Sequence, residues 1–206
     1  MNKPILITGC PRSGTSVVAG IMFYLGVYLG DMFIKRNKTN PTGFFEDIQW
    51  GMADHGLITG EATKEQWETE YKRLIDRYSK MEIPGFIRWG WKAPSAAEII
   101  DDVINTANPD IIWVRRNKED TLKSMVKNRW MINGEEVFKK TEENMSKVKS
   151  HIIEYERLLE RPEFEIGRLI EHFKLNQSKL DKALLHVLRP ADNTKECEQE
   201  SYMNYL

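Results

Sequence analysis

The chain has 206 residues, 41% hydrophobic and 30% charged, the size and composition of one globular α/β domain with a real core. A balance of 30 Lys and Arg against 31 Asp and Glu leaves a net charge of −1. That excludes a general nucleic-acid coat and a polybasic membrane anchor but leaves room for a local basic pocket. Cys10 and Cys197 lie near opposite ends and suggest neither a disulfide scaffold nor a zinc site.

Pro4 to Thr8 is predicted as a buried strand running straight into a glycine turn, with no charged segment ahead of a long apolar stretch, so no secretory signal is expected. A helix follows from about Gly14 to Leu25. The most apolar region, Val17 to Leu29, is broken by Gly20, Gly26 and two tyrosines and is too short to span a bilayer. A cytoplasmic protein without stable membrane insertion is the expectation.

Trp67, Tyr71, Leu74, Ile75 and Tyr78 recur at helical spacing and predict a helix over Glu65 to Lys80. Phe86 to Lys92 reads as a second strand. Pro94 suits a first helical turn and opens a helix through about Thr106. Asp110 to Arg115 is a third strand, with a helix from about Glu119 to Met131 after it. The run from Gly134 carries its acids in front and its lysines behind, as an exposed helix would. His151 to Tyr155 is a fourth strand, Pro162 to about Phe173 a helix, and Ser178 the cap of one more. No repeat or composition shift divides the chain, so residues 1–206 are expected to form a single domain. Alternating strands and helices imply a three-layer α/β fold, P-loop-like, with a central parallel sheet flanked by helices.

The loop after the first strand, GCPRSGTS from Gly9 to Ser16, carries the chemistry. A strand, a Gly-rich turn and a helix N-terminus together present backbone N–H groups to an anion. Gly9 and Gly14 have the spacing of a phosphate-binding loop, yet Thr15 and Ser16 follow where a nucleotide triphosphatase has Lys and then Ser or Thr. The cation is instead Arg12, inside the loop. No strand ends in an obvious metal-binding aspartate; the third ends in Arg115 and Arg116. Cations without a metal-binding acid suit transfer of a group less charged than phosphoryl, and no metal is expected.

These residues resemble the sulfotransferases that use 3′-phosphoadenosine 5′-phosphosulfate (PAPS). PRSGTS is similar to the family's 5′-phosphosulfate loop, which implies donor binding by Arg12, Ser13, Gly14, Thr15 and Ser16. IIWVRRNKEDTLKSM is similar to its 3′-phosphate motif, in which an Arg ends the strand and a Ser follows eight residues later: Arg116 and Ser124, with Asp120 between them. An Arg at a strand's carboxyl end points into the crevice where open α/β sheets bind ligands. Arg115, its neighbour, is expected to face away. IIEYERLLERPEFEIGRLIEHFKL resembles a third family segment, whose tyrosine sits against the adenine. That position is Tyr155, for which core packing is the competing role. Arg157 replaces the family's aspartate, and Lys118 stands where proline is frequent.

The reaction this implies is sulfuryl transfer from PAPS to an acceptor hydroxyl or amine, releasing 3′-phosphoadenosine 5′-phosphate, with a small-molecule or glycan acceptor and no nucleic acid. Arg12 is the first catalytic candidate, because its fork can hold two oxygens beside the phosphosulfate. Lys92, before Ala93-Pro94, is the second, against a strand-end lysine that snorkels to solvent. The segment NPTGFFED, Asn40 to Asp47, resembles a stretch of bacterial sulfotransferases and makes Glu46 the candidate base, with helix capping as its competing role. His55 is the rival base; His151, His172 and His186 are expected to be structural or exposed. Phe44, Phe45, Trp50, Trp67, Trp89 and Trp91 line either an aromatic pocket or the core. Arg189 is a surface arginine or a substitute cation for the 3′-phosphate. The other readings are a P-loop small-molecule kinase and a non-catalytic nucleotide-binding module.

Overall fold

The computed structural model describes residues 3–37, 40, 42–128 and 133–188. Arg189 and Cys197 fall outside the described residues, as do Pro41 of the candidate-base segment and Met131. The centre is β1 (Ile5–Thr8), whose four residues are all buried. It pairs in parallel with β3 (Arg88–Lys92) on one side and β4 (Asp110–Arg115) on the other. β2 (Val27–Tyr28) extends the sheet beyond β3 and β5 (His151–Glu154) beyond β4, giving the all-parallel order β2-β3-β1-β4-β5.

Strand alternation divides the interior into two cores. Ile5 and Ile7 join Ile112 and Val114 under α1 (Thr15–Tyr24), α8 (Pro162–Phe173) and α9 (Leu180–Leu188). Leu6, Trp91, Ile111 and Trp113 face the other way, under α2 (Ile48–Thr59), α3 (Lys64–Ser79), α4 (Ile100–Ala107) and Met145 of α6 (Gly134–Met145). α5 (Lys118–Lys127) and α7 (Tyr155–Glu160) follow the carboxyl ends of β4 and β5. The three-layer α/β fold with a central parallel sheet is therefore present.

Several boundaries differ from the sequence expectation. β2 and α2 are additional elements: a two-residue strand has no measurable period, and α2 buries only Trp50 and Asp54 and holds Gly51 and Gly56. The helix expected over Pro94 to Thr106 is a 3₁₀ turn, Pro94–Glu98, followed by α4. Asn144 of α6 donates its side-chain amide to the carbonyls of Ala97 (2.9 Å) and Glu98 (3.3 Å), giving them a partner outside the helix at the break. α5 begins at Lys118, and its last residue is Lys127. α6 stops at Met145, so Lys147 and Lys149 lie past its end and add nothing to its last turn. Ser178 lies inside a 3₁₀ turn, Gln177–Lys179, that precedes α9, and Asn176 caps that turn, its side chain accepting from the Ser178 amide. Tyr155 begins α7 instead of ending β5.

The chain runs from β1 to β2 and β3 on one side, then crosses to β4 and β5 on the other. The crevice at that reversal, between the carboxyl ends of β1 and β4, is where open α/β sheets take ligands.

Candidate active site

The loop between β1 and α1 turns through three left-handed residues: Gly9 (φ 150°), Arg12 (φ 70°) and Gly14 (φ 99°). A Cβ on Gly9 would lie 2.3 Å from the Val114 carbonyl oxygen, and one on Gly14 would lie 2.2 Å from Cδ2 of Tyr155. Both positions therefore demand glycine for space as well as for backbone conformation. The Ser13 amide donates to the Cys10 carbonyl (3.0 Å) and closes the turn. Among the described residues no side chain caps α1, which leaves its first amides to an anion entering the loop. Ser16, in the first turn of α1, accepts from the Asn40 side-chain amide at 2.9 Å.

Left-handed backbone at a non-glycine residue costs about 1–2 kcal/mol. At Arg12 that conformation accompanies a side chain turned toward α5, where Nε donates to the Ser124 hydroxyl at 3.2 Å. Arg116, just past β4, donates from Nη1 to the Arg12 carbonyl (3.3 Å), and its guanidinium lies 4.8 Å from the centre of the Tyr155 ring. Gly14, Tyr155 and Arg116 are thus stacked in that order, and Arg12, Arg116, Ser124 and Tyr155 meet at one place. Arg115 does face away, pairing with Glu142 (2.7 Å) and Glu154 (3.3 Å).

Arg12 and Arg116 form no ion pair with a carboxylate among the described residues. Burial and then the neighbouring Arg116 charge lower the pKa of Arg12. Two polar atoms of the loop and this cluster, Ser13 Oγ and Arg116 Nε, are buried without a hydrogen-bond partner among the described residues. A buried polar group left unmade costs about 1–3 kcal/mol, which an anion between the two arginines would relieve. Asn117 sets the approach of α5 by accepting from the Glu119 (2.9 Å) and Asp120 (3.3 Å) amides. Asp120 is an exposed first-turn acid there.

Lys92 ends β3 beside Ile7 of β1, one strand from the loop. Its side chain is only 3% exposed and its ammonium lies 2.5 Å from Glu46 Oε2, so it does not snorkel to solvent. The sequence-predicted cation and base therefore touch each other. Helix capping, the competing role for Glu46, belongs to Asp47, whose side chain accepts from the Gln49 amide. Sequence reasoning passed over Asp47, the fully buried residue that fixes this loop. It also accepts from the Asp31 and Met32 amides (3.1 and 3.2 Å) and the Tyr78 hydroxyl (2.7 Å). Burial alone would raise its pKa; those hydrogen bonds outweigh burial and lower it.

Asp54 was also missed. It is buried in α2, accepting from Tyr71 and from Ser95, each at 2.8 Å. Burial, opposed by these bonds and reinforced by Glu46, pushes its pKa up to about 7. Its local sign, an aspartate one helical turn from Trp50, has meaning only once α2 is in place. His55 stands exposed on that helix, where its carbonyl accepts from the Thr59 hydroxyl.

The remaining candidates lie elsewhere. Phe45, Trp50, Trp67 and Trp91 are core, with Trp50 stacked on Trp91 at 4.5 Å, and Trp89 packs against them. His151 and His172 pack with ring centres 4.6 Å apart and planes tilted by 46°, and His186 fills the space beside Gly20. Arg157 pairs with buried Glu165 (2.5 Å). A cleft of about 900 Å³, lined by Lys3, Tyr28, Phe86, Arg88 and Asn108, opens near the amino-terminal ends of β1, β3 and β4, away from the loop. Its one arginine is engaged by Asp110 (2.7 Å) and by backbone carbonyls, so charge favours the carboxyl edge despite the cleft's size. Among the described residues, no group of three or more His, Cys, Asp or Glu is arranged to hold a metal. No helix among them is long and apolar enough to cross a membrane.

No family model matches the sequence, and no curated protein matches it significantly. Solved structures do share the fold. The sulfotransferase domain of the Synechococcus PCC 7002 olefin synthase aligns over 100% of this chain and 85% of its own, at TM-score 0.58 and 16% identity. The sulfotransferase STF1 from Mycobacterium tuberculosis H37Rv aligns over 95% of this chain and 76% of its own, at TM-score 0.51 and 14% identity. The likeness is one of fold: a sulfotransferase-like α/β architecture.

Proposed function

We propose that this chain is an enzyme that moves a sulfuryl group from PAPS to an acceptor hydroxyl or amine, releasing 3′-phosphoadenosine 5′-phosphate. The observation that carries the proposal is the meeting of Arg12, Arg116 and Ser124 at the carboxyl ends of β1 and β4, with no carboxylate paired to either arginine among the described residues. Ser13 Oγ and Arg116 Nε, unpartnered among the described residues, fit a ligand with anionic oxygens, and solved structures that share the fold include two sulfotransferases.

PAPS supplies an activated sulfuryl group with a good leaving phosphate. The rest falls to the protein. The α1 amides, Ser13, Thr15, Ser16 and Arg12 hold the 5′ end, where negative charge develops as the S–O bond to the nucleotide breaks. Arg116 and Ser124 hold the 3′-phosphate, and the Tyr155 ring supports the nucleoside side. Lys92 stabilises the transferring oxygens while Glu46 takes the acceptor's proton, so each waits beside the other. Their contact one strand from the loop supports turnover over a non-catalytic nucleotide module. Thr15, where a P-loop kinase has its lysine, argues against the kinase alternative. Cytoplasmic location is part of the same proposal.

The test is Glu46→Gln. Calorimetry should show unchanged 3′-phosphoadenosine 5′-phosphate binding, while transfer from labelled PAPS falls by ~10²–10⁴-fold, the usual contribution of a positioned base. Retained transfer would remove Glu46 from that role and turn attention to His55.

A further inference from the structure

Four large apolar side chains stand exposed around Glu46: Met32 (51%), Ile34 (37%), Ile48 (41%) and Met52 (67%). Single exposed apolar residues are ordinary, but these four share a face. Phe33 and Asp47 form an antiparallel bridge, with the Ile34 amide donating to the Glu46 carbonyl (2.9 Å) and the Ile48 amide to the Met32 carbonyl (3.0 Å). That pairing sets Ile34 opposite Glu46 and Met32 opposite Ile48, all on the side away from Phe33 and buried Asp47. Met52 lies one turn beyond Ile48 on α2 and continues the strip. The Glu46 carboxylate rests against the same turn, its Oε1 3.6 Å from where a Cβ on Gly51 would stand.

An apolar strip therefore runs from solvent to the candidate base. We propose that it is the binding surface for an amphiphilic acceptor: a hydroxyl that reaches Glu46, carried on an alkyl or acyl chain lying along Met32, Ile34, Ile48 and Met52. The acceptor role rests on the sulfuryl-transfer reading above; the binding surface does not. A second copy of the chain is a poorer occupant. Four partly exposed side chains fall well short of the ~800 Å² per partner that stable association needs, and the strip ends at a buried ion pair. Lys35 and Arg36 follow Ile34 and are exposed, which makes an anionic bilayer the alternative to exclude.

The full chain is titrated calorimetrically with monomeric n-alkyl glucosides from butyl to octyl, with no donor present. Affinity should rise with chain length, by up to ~4-fold per methylene where burial is complete. Met32→Lys and Met52→Lys, on different elements, should each flatten the series and leave 3′-phosphoadenosine 5′-phosphate binding unchanged. Equal affinity for butyl and octyl glucosides would overturn the proposal, as would a series unaltered in both variants. So would binding to phosphatidylserine vesicles without binding to the monomers, or self-association abolished by both variants with no chain-length effect. A rising series in a chain that fails to bind 3′-phosphoadenosine 5′-phosphate would uphold the amphiphile surface and overturn the donor reading alone.

Discussion

Arg12 holds left-handed backbone at φ 70°, an unfavourable conformation for a residue with a side chain, and in it reaches Ser124, 112 positions further along the chain. Local sequence carries Arg12 as a loop cation and Ser124 as a helix residue; only the β1–β4 pairing joins them. Asp54 is the opposite case, a residue whose one local sign is its place a helical turn from Trp50 and which becomes the buried acid of α2. Its pKa is pushed up from 3.8 to about 7, chiefly by burial. The folded chain then holds this proton more tightly than the unfolded one. The stability so gained is fully present below pH 3.8, declines as pH rises, and is lost above about 7. His151 runs the other way. Burial first, then the charges of His172 and Arg168, lower it from 6.5 to about 4, so its contribution is present above 6.5 and lost as pH falls towards 4. Asp54→Asn removes only the first effect. Thermal melts should show wild type losing Tm relative to Asp54→Asn between pH 5 and 8; a constant difference across that range would contradict the assignment.

At the scale of elements, strongly patterned segments were legible and weakly patterned ones were not. β4 and α8 begin and end as their sequences indicate, because a continuous apolar run and a proline-started amphipathic helix leave little ambiguity. α2 was not legible, since its start is set by Asp47, whose partners Asp31, Met32 and Tyr78 are remote in sequence. Consequently Glu46 was found through a motif, whereas its ion pair with Lys92 was not. α5 offers a direct test of how an element positions the site. Asn117 caps it, and Ser124 lies two turns along the same helix. Asn117→Ala should cost about 1 kcal/mol in denaturant unfolding. It should also weaken 3′-phosphoadenosine 5′-phosphate binding; a stability loss without any change in binding would mean that α5 does not orient Ser124 toward the ligand.

For the whole molecule, the parallel sheet gathers at its carboxyl edge the groups that the sequence scatters between Gly9 and Tyr155. The P-loop-like spacing announced an anion site, and the strand pattern announced the sheet. The strand order, which puts Lys92 on one side of the loop and Arg116 on the other, belongs to tertiary pairing and could not be read from local pattern. That order brings Arg12, Arg116 and Ser124 together; the central claim, proposed on that meeting, is a ligand with phosphate groups at both ends of a nucleoside. Isothermal titration of the chain with 3′-phosphoadenosine 5′-phosphate and with AMP tests it most directly, because the two ligands differ only in the 3′-phosphate. A charge-assisted hydrogen bond contributes about 1.5–3 kcal/mol, so a clamp by Arg116 and Ser124 should favour the bisphosphate by at least ~10-fold. Equal affinity for the two nucleotides would contradict the account.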